Sequence, residues 1–226
     1  MAQVGIGTSN PAASAALDIN STDKGLLPPR LSLIQIKNIV SPQAGLTVYN
    51  TDLNKPCFYN GTDWLFYDNS FVLPKLGVYH PLAGGIVIYL DASGLHGLAA
   101  AMADLGNCGV TWGCSGLNIP GAQASAVGTG QSNSNAILAN CGTAGIAADL
   151  CDDFIQNGFS DWYLPSIDEL ALVYARIDSL PGITFGRYWS STQLNATTVR
   201  LIDFSTGQPI TISSSSARCV RPIRTF

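Results

Sequence analysis

Six cysteines, two histidines and two adjacent carboxylate pairs are the residues of this chain whose types could do chemistry. The cysteines are Cys57, Cys108, Cys114, Cys141, Cys151 and Cys219. An even number suits disulfides, and the short separations make Cys108 with Cys114, and Cys141 with Cys151, the local pairings to expect. Buried free thiols fit the same residues, because unpaired cysteine is among the most buried residue types. No Cys-x-x-Cys pair occurs, and His80 and His96 have no ligand spacing around them, so no metal is expected. His80 precedes Pro81 and His96 follows Gly94-Leu95, contexts that read as turn or surface positions rather than as general bases. Asp152 and Asp153 fall on a predicted helix, where adjacent residues point to different faces and make a poor acid–base pair. Asp168 and Glu169 occupy the first turn of another helix, where negative charge favours the N-terminus. Catalysis needs a nucleophile with its base, a metal cluster or convergent carboxylates. The expectation is therefore a non-enzymatic protein, with no catalytic residue and no cofactor.

Composition narrows the partners. Charged residues make up 12% of the 226, against about 25% in an average soluble protein. Gly, Ser, Asn and Thr fill the gap, which suits a β-rich and loop-rich extracellular or virion protein. A formal charge of −4 and a pI near 4.9 exclude nucleic acid, whose phosphates require a basic field. No apolar run approaches the ~18 residues of a membrane-spanning helix, so membrane insertion is not expected. Met1-Ala2-Gln3-Val4-Gly5-Ile6-Gly7 has neither the basic nor the apolar part of a signal peptide. That fits assembly in the cytoplasm, as virion parts are assembled, or a signal peptide replaced by Met.

The elements that position these residues fall into an N-terminal segment, a linker and one domain. Within residues 1–70, Val4 to Thr8 reads as extended and ends at Asn10-Pro11. Pro28-Pro29 keeps Gly25 to Arg30 extended, and Leu31 to Val40 predicts a brief helix stopped by Ser41-Pro42. Asn60-Gly61 predicts a two-residue hairpin turn between Cys57-Phe58-Tyr59 and Thr62 to Tyr67. This segment is apolar, yet its elements are too short to cover one another. Symmetry-related copies would bury what one copy exposes, which predicts an oligomer.

Residues 71–83 form the linker, and 84–226 predict a compact α+β domain. Gly85 to Leu90 and Leu95 to Ala101 read as strands, 106–135 as a long loop anchored by Trp112, and 134–157 as a helix. Ser166 and Glu169 form a capping box ahead of an apolar helix face, Leu170, Val173, Tyr174 and Ile177, ending near Leu180. Strands follow at 188–191, 199–204, 209–212 and 217–223. Trp112, Trp162 and Trp189 read as framework.

Gly84 to Leu90, Ser160-Asp161-Trp162-Tyr163-Leu164-Pro165-Ser166 with Glu169-Leu170, Tyr188 to Thr192, and Arg218 to Ile223 occur in this order. Together they resemble the C-terminal domain of bacterial collagen-like adhesins, over roughly residues 77–226. The resemblance implies a C-type-lectin-like fold: two helices on a twisted antiparallel sheet, long loops on one face and termini close together. The segment before it, from Val4-Gly5-Ile6-Gly7-Thr8 to Lys24-Gly25-Leu26-Leu27-Pro28-Pro29-Arg30, is similar to segments of Bacteroidota surface and phage tail-fibre-like proteins. The resemblance also implies a homotrimer. Formylglycine-generating enzymes share this architecture, but their cysteine pair has no counterpart here. In the calcium-dependent sugar loop of C-type lectins a proline sits between oxygen ligands; Gln208-Pro209-Ile210 lacks the last of them.

Recognition would fall to the late loops, where Tyr188, Gln193, Asn195, Thr197 and Arg200 are the candidate ligand contacts. Ser213 to Ser216 reads as a solvated turn. The leading reading is a homotrimeric fibre, spike or adhesin on a virion or bacterial surface, meeting a cell-surface receptor or glycan. Other virion or fibre proteins are further partners. The alternative is a structural head or tail decoration of a phage-like particle.

Overall fold

A computed structural model describes residues 3–226. The chain divides into two compact units, Met1–Asp68 and Asn69–Phe226.

In the first unit, β1 (Val4–Ile6) and β2 (Leu17–Ile19) make a parallel two-stranded ribbon, with Val4 opposite Leu17 and Ile6 opposite Ile19. A four-stranded sheet follows, in the order β3 (Arg30–Leu31), β4 (Thr47–Asn50), β5 (Lys55–Tyr59), β6 (Trp64–Phe66). Between β3 and β4 lies the helix α1 (Leu33–Lys37), entered through a capping box of Ser32 and Gln35. Asp52 accepts the Leu33 N–H at 2.7 Å and ties the helix to the turn after β4. The β5–β6 connection is not the two-residue turn expected at Asn60-Gly61. Tyr59 pairs with Trp64, leaving four residues in the loop. Asn60 accepts the N–H groups of Thr62 and Asp63 at 2.8 Å, so the side chain closes a wider turn.

The second unit is sheet-rich. Its first sheet runs β15 (Ile223–Thr225), β9 (Gly97–Ala100), β8 (Gly85–Leu90), β7 (Tyr79–His80). Its second sheet runs β10 (Leu105–Thr111), β14 (Ala217–Val220), β11 (Arg187–Gln193), β12 (Thr198–Asp203), β13 (Gln208–Ser213). Helices α2 (Gly130–Asn140) and α3 (Ala147–Asp152) contribute Ile137, Ala147 and Cys151 to one core, with Trp112, Trp189, Val199 and Leu201. Helix α4 (Ile167–Tyr174) contributes Leu170 and Val173 to a second core, with Ile86, Ile88, Tyr188 and Ile202. Successive residues of β11 and of β12 thus enter opposite cores, and Trp112, Trp162 and Trp189 are all buried.

Four expectations are corrected here. The single helix over 134–157 is two helices, interrupted at Cys141 to Ile146. The loop over 106–135 begins instead as β10, whose glycines disguise a bulged strand, and from Gly130 onward it is helix. Helix α4 stops at Tyr174, and the chain continues to Ser179 only as a short 3-10 turn from Ile177. The last strand, expected over 217–223, breaks at Arg221-Pro222, so β14 and β15 join different sheets.

The disulfides differ as well. Cys108 bonds Cys219 and Cys114 bonds Cys141, while Cys57 and Cys151 stay buried and reduced. Neither local pairing forms. Antiparallel β10 and β14 bring Cys108 to Cys219 across 111 residues of sequence, a closure that sequence separation does not reveal.

Candidate functional site

The first unit has a small core and a large apolar surface. Leu33, Ile36, Val48, Cys57, Trp64 and Phe66 are its buried apolar residues. Burial raises the Cys57 thiol to about 11, so it stays protonated. Against these six stand Val4, Ile6, Leu17, Ile19, Leu26, Leu27, Ile34, Val40, Leu46 and Tyr67, all exposed. Leu26 and Leu27 sit in the extended stretch before Pro28, 69% and 76% exposed, where no helix or sheet of the unit covers them. A two-stranded ribbon without a third strand or a covering layer is marginal in water. Sealing Val4, Ile6, Leu17, Ile19, Leu26 and Leu27 would stabilise each protomer by on the order of 5 kcal/mol, from apolar area alone. Ile6, Ile19, Leu26 and Leu27 also line a concavity of ≈ 380 Å³, which gives this surface a seat for apolar side chains.

In the second unit, Tyr188 and Gln193 do not reach the surface. Tyr188 is fully buried, stacks on Phe204 and donates its hydroxyl proton to Asp104 at 2.6 Å. Burial pushes that hydroxyl up to about 12. Gln193 accepts from the Ile119 N–H at 2.7 Å and donates to the Leu117 carbonyl at 2.7 Å. Both are scaffold. The five-stranded sheet is covered on both faces, so β11 presents an unbroken buried run after Arg187 rather than alternating faces.

Asn195 and Thr197 are exposed in the β11–β12 turn, and Arg200 is half-buried on β12. Asn195 accepts the N–H groups of Thr197 and Thr198 at 3.0 Å each and so holds the turn. The loop around Gly116 is stitched to it, since the Gly116 N–H donates to the Ala196 carbonyl at 2.7 Å. The disulfide Cys114–Cys141 fixes the start of that loop. Leu117 and Leu194 stand exposed beside Asn195, giving a rigid face of mixed apolar and amide character. Sequence reasoning missed Leu117, because nothing local shows that its loop lies against the β11–β12 turn.

Several titratable groups of this unit are held by the fold. His80 is buried, not on a turn surface, because β7 packs it inward with Nε2 at 3.1 Å from the Val72 carbonyl. Burial lowers its pKa below the ordinary value of 6.5. Glu169 is buried and accepts the N–H groups of Ser166 and Gly128, each at 2.8 Å. Asp104 takes Arg221 at 2.6 Å, and Asp161 takes Arg224 at 2.7 Å. Among the described residues no three His, Cys, Asp or Glu side chains converge as a metal site would need. Among the described residues no helix is long and apolar enough to cross a membrane.

Residues 5–76 match a phage tail-like trimerisation region. The match takes in nearly all of the core-poor unit, including every apolar residue exposed there except Val4. The match supports self-association of the chain, and the uncovered apolar residues of the first unit fall almost entirely within it. No curated protein matches the chain.

Proposed function

We propose that the protein is a homotrimeric tail-fibre-like component of a virion or phage-like particle, which displays its C-terminal unit to a receptor on a cell surface. The observation that carries this reading is the coincidence of the trimerisation match with the unit whose apolar surface outweighs its core. Three copies would bury the β1–β2 ribbons and the Leu26-Leu27 arms against one another.

The C-terminal unit is read as a C-type-lectin-like domain. Strands from near both of its ends, β8 and β15, flank β9 in one sheet, so its beginning and end come together. Helices pack on its sheets, and long loops such as 112–129 carry polar and small residues. Its receptor-facing surface is assigned to Asn195, Thr197, Leu117 and Leu194. The buried carboxylates serve helix caps and ion pairs, which supports a binding protein rather than an enzyme.

The test is adhesion of the fluorescently labelled full chain to a panel of bacterial cells, beside L26D/L27D. With three receptor sites per particle, breaking the trimer should weaken adhesion by about 100-fold while the C-terminal unit stays folded. Adhesion to no cell in the panel would favour the structural decoration instead.

A further inference from the structure

The five-stranded sheet opens into a groove beside β14. Strands β11 and β14 run parallel but pair only at Tyr188 and Cys219. On the other flank, β10 pairs with β14 at Leu105 and Val220, then resumes at Val110 and Arg218. The surplus residues of β10 are forced out as a bulge. Gly106, Asn107 and Cys108 there take φ values of 65°, 48° and 60°, a left-handed run that two non-glycine residues rarely adopt. The Cys108–Cys219 disulfide ties the bulge to β14. Gly186 lets the opposite wall approach, since a Cβ there would lie 3.1 Å from Cys219 Sγ. The outcome is an open concavity of ≈ 560 Å³ floored by the disulfide and lined by Thr184, Phe185, Arg187 and Arg218.

The chemistry of these walls is specific. Of the arginines in this unit, Arg221 is held in a buried ion pair with Asp104, and Arg224, itself buried, pairs with the exposed Asp161. Arg187 gives its Nε to Asp203 at 3.0 Å but keeps 46% of its side chain exposed. Arg218 is half-buried and makes no ion pair among the described residues; its Nη1 donates to the adjacent Ala217 carbonyl, and its Nε is buried without a partner. Phe185, 77% exposed, is the most exposed large apolar residue described in this unit and packs in neither core. Bulge, disulfide and Gly186 thus bring Arg187, Arg218 and the uncovered Phe185 to the lining of one space.

We propose that this groove binds a carboxylate-bearing sugar unit of an acidic glycan. A guanidinium fork matches a carboxylate in charge and geometry. Phe185 offers its ring to the C–H face of the sugar. A neutral sugar would leave the arginines without a role, and a simple carboxylate would leave Phe185 without one. Asp203 beside Arg187 and the net charge of −4 disfavour a dense polyanion, so the ligand carries isolated carboxylates rather than clustered sulfates. This assignment rests on the receptor-binding reading of the C-terminal unit and adds to it a glycan groove separate from the loop face at Asn195 and Thr197.

The experiment is calorimetric titration of the full chain with oligogalacturonate and sialyllactose, their neutral counterparts (the methyl ester and lactose), and dextran sulfate. The acidic sugars should bind about tenfold or more tightly than the neutral ones. R218Q and F185S should each cost the wild-type protein about tenfold in that binding, at unchanged melting temperature. Equal binding of acid and ester would overturn the proposal, as would acid-sugar binding that survives both substitutions. Preference for dextran sulfate, insensitive to F185S, would reduce the groove to an unselective anion site and also overturn it. If no probe binds while the wild type and both variants adhere equally to cells, the groove is wrong and receptor binding stands. If no probe binds and no cell is bound, both readings fall.

Discussion

Glu169 carries more of the C-terminal unit than a helix cap requires. One carboxylate oxygen closes the capping box with the Ser166 N–H, and the other takes the Gly128 N–H from the far end of the 112–129 loop. A Cβ on Gly130 would come within 2.1 Å of that carboxylate, so only glycine lets the start of α2 approach it. E169A would strand the buried Ser166 amide and release the Gly128 amide to solvent, and its urea unfolding should show a loss of about 1–3 kcal/mol. His80 gives a pH signature of a different kind. Its folded pKa lies below the ordinary 6.5 because burial disfavours the charged ring. The unfolded chain therefore binds the proton more readily, and stability that is full above pH 6.5 is lost as the pH falls below it. H80N should flatten that part of the stability–pH curve, read from chemical melts between pH 7 and pH 5. At this scale the capping box was legible, since Ser166 and Glu169 carry its full signature three residues apart. The burial of His80 was not, because it depends on Val72 and on β7 joining a sheet.

Elements are where the sequence misled most, and for one reason: their periodicity is set by partners distant in the chain. The sequence predicts a strand over 188–191 and places Tyr188 and Gln193 among surface contacts of the late loops. Covering on both faces turns β11 into a continuous buried run, in which no alternation marks an outward residue. Ile137 on α2 and Ala147 and Cys151 on α3 are helical and buried as expected, yet Gly142, Gly145 and the bond from Cys141 to Cys114 break the segment in two. The two disulfides enclose loops of very different size, 111 and 27 residues in separation. In the chain-entropy account the longer closure stabilises more, by about 5 kcal/mol against about 3.5. C108S/C219S should therefore unfold at lower denaturant than C114S/C141S, each compared with the oxidised wild type. The second variant has a further consequence: it frees the loop around Leu117 from α2, so its amides should exchange with solvent faster than in the wild type.

At the scale of the whole molecule, two kinds of sequence carry two kinds of duty. The first unit combines six buried apolar residues with ten exposed ones, a balance that a solitary unit of this size does not sustain in water. The second has two cores, two disulfides and two buried arginines in ion pairs, a rigid mount for its loops. The need for an oligomer was readable from residues 1–70, because short elements and exposed leucines follow directly from Pro28-Pro29 and the brief strands. The groove at Phe185 was not readable, since its walls meet only through the β10 bulge and the Cys108–Cys219 bond. The account stands on the trimer, and the solution mass of the full chain tests it most directly. Sedimentation equilibrium at micromolar concentration should return three 23.7 kDa chains, falling to one in L26D/L27D. A wild-type protein that stays folded as a single 23.7 kDa chain would contradict it.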